Sequence, residues 1–240
     1  MSMKYDETVL VLNGTGKTGR RVAARLTERR VPVRIGSRSG NPPFDWTERS
    51  TWEPALDGVG SAYVSFFPDL AVPGAVDAVG SFAELAVAND VRRLVLLSGR
   101  GEEEALNAEQ ALTASGADWT VVRASWFNQN FSEGFMRDLV LTDEVVLPAS
   151  TVGEPFVDAD DIADVAVAAL TEDGHAGRLY EVTGPRLLTF AEAVAEIAAA
   201  TGRDIRLVEV SSAEFATGLS AAGVPGEYVT LLTYLFDTVL

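Results

Sequence analysis

The feature that most limits how this chain can fold is a glycine-rich turn set between two differently patterned apolar segments. Thr8-Val9-Leu10-Val11-Leu12 is a short β-favouring run that suits a buried parallel strand. Asn13-Gly14-Thr15-Gly16-Lys17-Thr18-Gly19 follows, and Arg20 to Arg30 then carries Val22, Ala23 and Leu26 at helical spacing. In that strand–turn–helix frame each glycine of G-x-G-x-x-G has a task. Gly14 permits the tight turn, Gly16 lets the backbone approach a pyrophosphate, and Gly19 lets the helix pack close to the sheet. Free amides at the helix start then face the anion. The same residues end like a nucleotide-triphosphate loop, Gly16-Lys17-Thr18, but that motif needs a glycine five positions before Gly16, where Val11 stands. Lys17 reaches toward a phosphate or is a solvated lysine, one of two in the chain, and Thr15 and Thr18 complete the loop.

Which dinucleotide such a loop takes is decided about 20 residues further on, where an acidic side chain would hold the ribose 2′-hydroxyl of NAD. No Asp or Glu lies between Glu28 and Asp45. A second strand, Pro32 to Ile35, ends instead in Gly36-Ser37-Arg38-Ser39. A guanidinium beside a hydroxyl suits a 2′-phosphate, which favours NADP(H). Strand alternation turns Arg34 elsewhere and leaves Ser37 and Arg38 for that task.

Further along, a strand at Ser61 to Phe67, a helix at Gly74 to Ala88, a strand at Arg93 to Leu97, a helix at Glu102 to Ala114 and a strand at Trp119 to Val122 continue the alternation. Trp46 to Leu56 is read as a short strand and helix. The pattern predicts an α/β fold, a Rossmann-type doubly wound parallel sheet with right-handed crossovers. From about residue 131 to 240 a smaller α/β lobe is expected on the substrate side, interleaved with the sheet of residues 1–130. It contains Val145 to Pro148, an acidic helix start at Asp158, Asp160 and Asp161, and a strand at Arg178 to Val182. Capping-box patterns follow at Thr189-Phe190-Ala191-Glu192 and Ser211-Ser212-Ala213-Glu214, on either side of a strand at Ile205 to Val210. Val229, Leu232, Leu235, Phe236 and Val239 make a last apolar helical pattern, packed on the lobe or running into a tail.

Composition narrows the chemistry. A net charge of −16 argues against nucleic acid as a partner. Without cysteine there is no thiolate nucleophile, and with a single histidine, His175, no His cluster for a metal; no metal is expected. The charged segment Met1 to Thr8 does not read as a signal peptide, and no apolar run approaches the roughly 18 residues that span a bilayer. A cytoplasmic protein with no membrane partner, monomeric or homodimeric, is the expectation.

Four segments carry a resemblance: the glycine loop, Leu96-Leu97-Ser98, the run Glu109 to Gly116, and Val122-Arg123-Ala124-Ser125-Trp126-Phe127-Asn128-Gln129-Asn130-Phe131. Together they resemble the NmrA-like branch of the atypical short-chain dehydrogenase/reductases, and within it the NAD(P)H:quinone oxidoreductase type 2 group. The last segment resembles that group's R-x-x-[WF]-[FY]-x-[EQ]-N-[FY] motif. The resemblance implies Asp45 and Trp46 beside the adenine, and Phe66, Phe67 and Pro68, after the fourth strand, along the pyrophosphate and nicotinamide ribose. It also implies Ser98 at the nicotinamide end, with Trp126, Phe127 and Asn130 closing the substrate side. Asp161-Ile162-Ala163 and Thr183-Gly184-Pro185 are landmarks read as structural.

The departure concerns proton transfer. Short-chain dehydrogenases of the familiar kind use a tyrosine with a lysine four residues later. None of Tyr5, Tyr63, Tyr180, Tyr228 and Tyr234 has one. Ser98 and Glu109 are the candidates that remain, Glu109 either relaying a proton or tying its helix to a neighbouring segment. His175 reads as a loop residue, and the Asp158, Asp160 and Asp161 group as a helix cap. Trp126 and Phe127 either stack on a flat substrate or fill core. The expected activity is hydride transfer from NADPH to a small-molecule acceptor, a quinone or another conjugated one. The alternatives are a dinucleotide sensor without turnover and a redox-neutral enzyme of the same fold.

Overall fold

The computed structural model describes residues 7–240, so the reading of the N-terminal segment Met1 to Asp6, with Tyr5, lies outside the described residues. In chain order the elements are β1 (Thr8–Leu12), α1 (Lys17–Glu28), β2 (Val33–Gly36), α2 (Trp52–Leu56), β3 (Val59–Val64), α3 (Ala75–Ala88), β4 (Arg93–Gly99), α4 (Glu103–Ala114) and β5 (Asp118–Ala124). There follow α5 (Asn130–Glu133), α6 (Phe135–Leu141), β6 (Glu144–Leu147), β7 (Gly153–Glu154), α7 (Ala159–Thr171), β8 (Arg178–Val182), β9 (Leu188–Thr189), α8 (Phe190–Thr201), β10 (Arg206–Glu209), α9 (Ser212–Ala221) and α10 (Gly226–Tyr234).

Two compact units result. The first takes the described chain up to Ala124 and again Ala159–Val182; the second takes Ser125–Asp158 and Thr183–Leu240. Where the sequence suggests a changeover at residue 130, the chain leaves the first unit at the end of β5 and returns for α7 and β8. The return has a physical reason. β8 pairs in parallel with β5 from Thr120↔Arg178 to Ala124↔Val182 and so covers an otherwise open sheet edge.

The first unit is a six-stranded parallel sheet in the order β2-β1-β3-β4-β5-β8. Its central strands read as continuous apolar runs because both faces are covered. On one face α3 and α4 bury Val79, Phe82, Ala83, Ala105, Ala108 and Leu112. On the other, α1 packs beside α7. Arg21 Nε donates to Asp160 Oδ2 (3.0 Å), and Arg25 donates to Asp160 Oδ1 (2.8 Å) and Asp164 Oδ1 (2.5 Å). Asp160 thus fastens α7 to α1, beyond the helix-start role its position suggests.

No strand forms between Trp46 and Leu56. A 3₁₀ turn, Arg49–Thr51, leads directly into α2. The polar groups there are satisfied locally: Asp45 N–H donates to Thr51 Oγ1 (3.0 Å), and the Trp52 indole donates to the Asp45 carbonyl (2.8 Å). The rings of Phe44, Trp46 and Trp52 pack with Phe82 instead of extending along β2. Phe66-Phe67-Pro68 therefore follows the third strand, not the fourth, and β1 and β3 meet at the point where the strand order reverses. Loops leaving β1 and β3 border the crevice such a reversal creates.

The second unit pairs β6 with β10 in parallel and β7 with β9 antiparallel, around Phe131, Phe156, Phe190, Phe215 and Phe236. Both capping boxes are formed, Thr189 with Glu192 and Ser211 with Glu214. A π-helical turn, Leu235–Val239, continues α10 and buries Phe236.

One side chain links the sheet to the start of α1. Tyr63, wholly buried in β3, donates its hydroxyl to Thr18 Oγ1 (3.0 Å), and burial holds its phenol protonated far above neutral pH. Tyr63→Phe removes that bond and should lower unfolding stability by about 1 kcal/mol. Urea denaturation checks it; an unchanged midpoint would deny the bond a role.

Candidate cofactor site

The glycine turn is shaped by close packing. Asn13 sits in the left-handed region (φ 51°), and α1 starts at Lys17, three residues earlier than the apolar periodicity suggests, because Arg20 N–H already donates to the Gly16 carbonyl (3.1 Å). Gly19 therefore lies inside the first helical turn. A Cβ there would stand 2.2 Å from the Asn13 carbonyl oxygen, so no side chain fits without moving the backbone. A Cβ on Gly16 would meet the Asn13 carboxamide at 2.8 Å. No side chain caps α1, and its first turn has no acidic residue. Its amide end suits an anion in charge and in geometry.

The turn is also tied to the end of β2. Gly14 N–H donates to the Gly36 carbonyl (3.4 Å), and Leu12 pairs with Gly36 in the register. Ser37 and Arg38 are the next two residues, and Arg38 is exposed. Arg34 points away: its guanidinium donates to the carbonyls of Ala55 (2.9 Å) and Asp57 (2.5 Å) at the end of α2. Arg38 shares its surroundings with Asp45, whose carboxyl is held below its usual range by Thr47, through the backbone N–H and the hydroxyl (both 2.9 Å), and by the Arg38 charge.

Trp46 donates its indole N–H to the Ser65 carbonyl (3.2 Å) and packs on Phe66, with ring centroids 4.9 Å apart. Phe67, by contrast, is 52% exposed in the loop leaving β3. A ring left this bare beside the sheet's C-terminal edge is available to a ligand.

Ser98 and Glu109 are both buried, and they are bonded to each other. Ser98 Oγ donates to Glu109 Oε1 (2.5 Å). Arg123, on β5, grips the same carboxylate with Nε on Oε1 (3.0 Å) and Nη2 on Oε2 (2.6 Å), and reaches Glu181 on β8 (3.0 Å). Both Glu109 oxygens are engaged, so the carboxylate ties α4 to β4 and β5. Arg123 enters the sequence reading only as the first residue of the family-like motif; its grip on Glu109 was not foreseen, and an arginine inside an apolar strand was the available signal.

A second carboxyl pair, also missed, joins the loops that leave β3 and β4. Asp69 and Glu102 lie near enough to act on each other's charge, and Ala71 N–H donates to Asp69 Oδ1 (2.9 Å). Burial and the Asp69 charge push Glu102 up to about 9, and burial raises Asp69 as well.

His175 lies on the opposite edge, just before β8, with Nδ1 2.8 Å from the Tyr180 hydroxyl and beside a cavity of about 250 Å³. In the second unit, Trp126 packs on Phe190 (5.4 Å) and Phe236 (5.0 Å). Its N–H donates to Glu154 Oε1 (3.1 Å), and Phe127 bridges to Val157. Asn130 opens α5, its N–H donating to the Phe127 carbonyl (3.0 Å). Asp158 accepts from Gln129 (2.8 Å). Gly184 passes so close to the Phe156 carbonyl that a Cβ would overlap it (1.8 Å), a structural role. Among the described residues no acidic or histidine cluster could hold a metal, and no helix is long and apolar enough to cross a membrane.

No protein-family model matches the chain. It is 32% identical to the uncharacterized oxidoreductase YesF of Bacillus subtilis, over 99% of this chain and 86% of that protein. It is 31% identical to agroclavine dehydrogenase of Claviceps fusiformis, over 92% and 82% respectively. Among solved structures, the NADPH-dependent quinone oxidoreductase of Escherichia coli superposes with a TM-score of 0.76 at 19% identity, covering 96% of this chain and 88% of that one. The triphenylmethane reductase of a Citrobacter species does so with a TM-score of 0.73 at 18% identity, over 97% and 89%.

Two outcomes follow. Glu109→Gln breaks the two-pronged bond to Arg123 and should cost about 2 kcal/mol of stability in urea denaturation; an unperturbed midpoint would free Glu109 from its structural role. The folded Glu102 carboxyl keeps its proton above the ordinary glutamate value of 4.5, so the native state binds more protons than the unfolded chain. Stability from this group is full below that value and declines as pH rises toward about 9, and Glu102→Gln should flatten the decline in urea midpoints.

Proposed function

The chain belongs to the NmrA-like branch of the atypical short-chain dehydrogenase/reductases, and from that premise we propose that it is an NADPH-dependent oxidoreductase passing hydride to a quinone or another conjugated acceptor. The observation that carries the reading is the bond from Gly14 N–H to the Gly36 carbonyl. It sets the uncapped start of α1 and the Ser37-Arg38 pair on one edge of the sheet, a place for pyrophosphate beside a place for a 2′-phosphate.

Along that edge the residues fit an extended dinucleotide. Arg38 and Ser37 take the 2′-phosphate at β2. The residues Gly14, Thr15, Gly16, Lys17, Thr18 and Gly19 take the pyrophosphate at β1. Asp45 and Trp46 border the adenine, Phe66, Phe67 and Pro68 border the ribose at β3, and Ser98 stands at the nicotinamide end of β4. From β2 to β4 is three strand spacings, about 14 Å. When bound, the dinucleotide supplies the hydride; the chain supplies orientation and a site from which water is excluded. Trp126, Phe127 and Asn130 are proposed to face the acceptor. A quinone suits a site without a tyrosine–lysine pair, because the reduced oxyanion is stabilised by its own ring.

NADPH oxidation with a panel of quinones tests the reading. Arg38→Asp should weaken NADPH binding by about 10- to 100-fold while changing NADH binding by less than about threefold. Equal losses for both would remove the 2′-phosphate assignment. Tight NADPH binding with no turnover of any acceptor would make the protein a sensor.

A further inference from the structure

Threonines on the helices of this chain have a usual partner. Thr27, Thr171, Thr201, Thr217 and Thr230 each donate the hydroxyl proton to the carbonyl four residues back. Thr18 does not. It is the second residue of α1, so the residue four positions back, Gly14, belongs to the turn and not to the helix. The Thr18 hydroxyl is instead an acceptor, taking the Tyr63 proton on Oγ1 at 3.0 Å. A hydroxyl carries a proton as well as lone pairs, and among the described residues nothing accepts the proton of Thr18. Thr18 is 3% exposed and Tyr63 is wholly buried. Buried polar groups are nearly always paired, so a buried proton without an acceptor calls for one.

The position of the pair says where that acceptor would come from. Tyr63 is the only titratable residue of β3 and is level with Val11 in the register, two residues before Asn13. Its ring therefore lies beside the end of β1, and its hydroxyl meets the first turn of α1. Side chains on a helix lean toward its N-terminus, which directs the Thr18 hydroxyl toward the glycine turn and away from the body of α1. No side chain caps that helix start, and its first turn has no acidic residue. An anion held there by the amides would bring oxygens that accept a charge-assisted bond from a hydroxyl.

We propose that Tyr63 and Thr18 form a two-link hydrogen-bond chain to the bound diphosphate, Tyr63 O–H to Thr18 Oγ1 and Thr18 O–H to a phosphate oxygen. The proposal rests on the reading of the turn as a dinucleotide site and adds a side-chain contact, anchored inside the sheet, to a cradle of backbone amides. Thr18 is the binding residue and Tyr63 the positioning residue. By occupying a lone pair of Thr18, Tyr63 turns the Thr18 proton outward, and bonds in such a chain polarise one another. No proton changes owner, so the chain serves binding and not the redox step.

The test uses the full chain with NADPH, NADH, adenosine 2′-monophosphate and inorganic diphosphate. Thr18→Val keeps the shape and removes the hydroxyl; it should weaken NADPH and NADH alike by about 10- to 100-fold. Adenosine 2′-monophosphate has no diphosphate and should bind that variant within about twofold of the wild type. Thr18→Ser retains the hydroxyl and should hold NADPH within about threefold. Tyr63→Phe should weaken NADPH by about three- to tenfold alone and cause no further loss in the Thr18→Val background, as expected for two links of one chain. The NMR resonance of the Tyr63 Cζ, identified by its loss in Tyr63→Phe, should move with NADPH and with inorganic diphosphate but not with adenosine 2′-monophosphate. Wild-type NADPH affinity in either Thr18→Val or Tyr63→Phe overturns the proposal, as does a Tyr63 resonance that bound NADPH leaves in place. An equal loss of adenosine 2′-monophosphate overturns it too, because the substitution would then act through the fold. Tyr63→Phe and the Tyr63 resonance decide the matter even if Thr18→Val does not fold. A wild type that binds inorganic diphosphate and moves the Tyr63 signal, yet binds no NADPH, would uphold the chain and overturn the dinucleotide reading.

Discussion

Everything at the proposed cofactor edge depends on how tightly the backbone is packed between β1 and α1. The Gly19 Cα sits against the Asn13 carbonyl, and Gly14 bonds to the end of β2. These contacts fix the direction in which α1 leaves the sheet, and so the direction in which its first amides point. Tyr63 extends the constraint into the sheet through Thr18, and Asp160 extends it outward through Arg21 and Arg25. The turn is thus held from three sides by groups that take no part in chemistry. Preorganisation of this kind lets an anion bind without first ordering the loop that receives it.

The two acidic residues Glu102 and Glu109 show how differently two carboxyls near one helix are surrounded. Glu109 lies a turn and a half into α4, where Arg123 from the neighbouring strand can reach both its oxygens and Ser98 can donate to one. Glu102 lies just before the helix, beside Asp69. One carboxylate is tied to an arginine, and the other is raised by burial and by the charge of Asp69.

Much of the fold was legible in the sequence. β1, α1 and β2 follow from apolar periodicity and the glycines between them, and both capping boxes formed where Thr189 and Ser211 sit three residues before a glutamate. What was not legible depends on contacts between distant residues. Trp46 to Leu56 reads as a short strand and helix, but the rings of Phe44, Trp46 and Trp52 find one another and Phe82, and the backbone bonds to nearby side chains instead of forming the strand. Glu109 was visible as a candidate, whereas the guanidinium that occupies it comes from a different strand. The Asp69–Glu102 pair needs the β3–β4 adjacency before it can be seen at all. Arg38 was distinguished from Arg34 by alternation alone, and Arg34 does turn to the α2 carbonyls.

The central claim is that the amides of the β1–α1 turn receive the diphosphate of a phosphorylated nicotinamide dinucleotide. Hydrogen exchange of backbone amides, compared with and without NADPH, reads this most directly. The account predicts slowed exchange concentrated in residues 14–20 and 37–39. A bound dinucleotide that leaves exchange in the turn unchanged would contradict it.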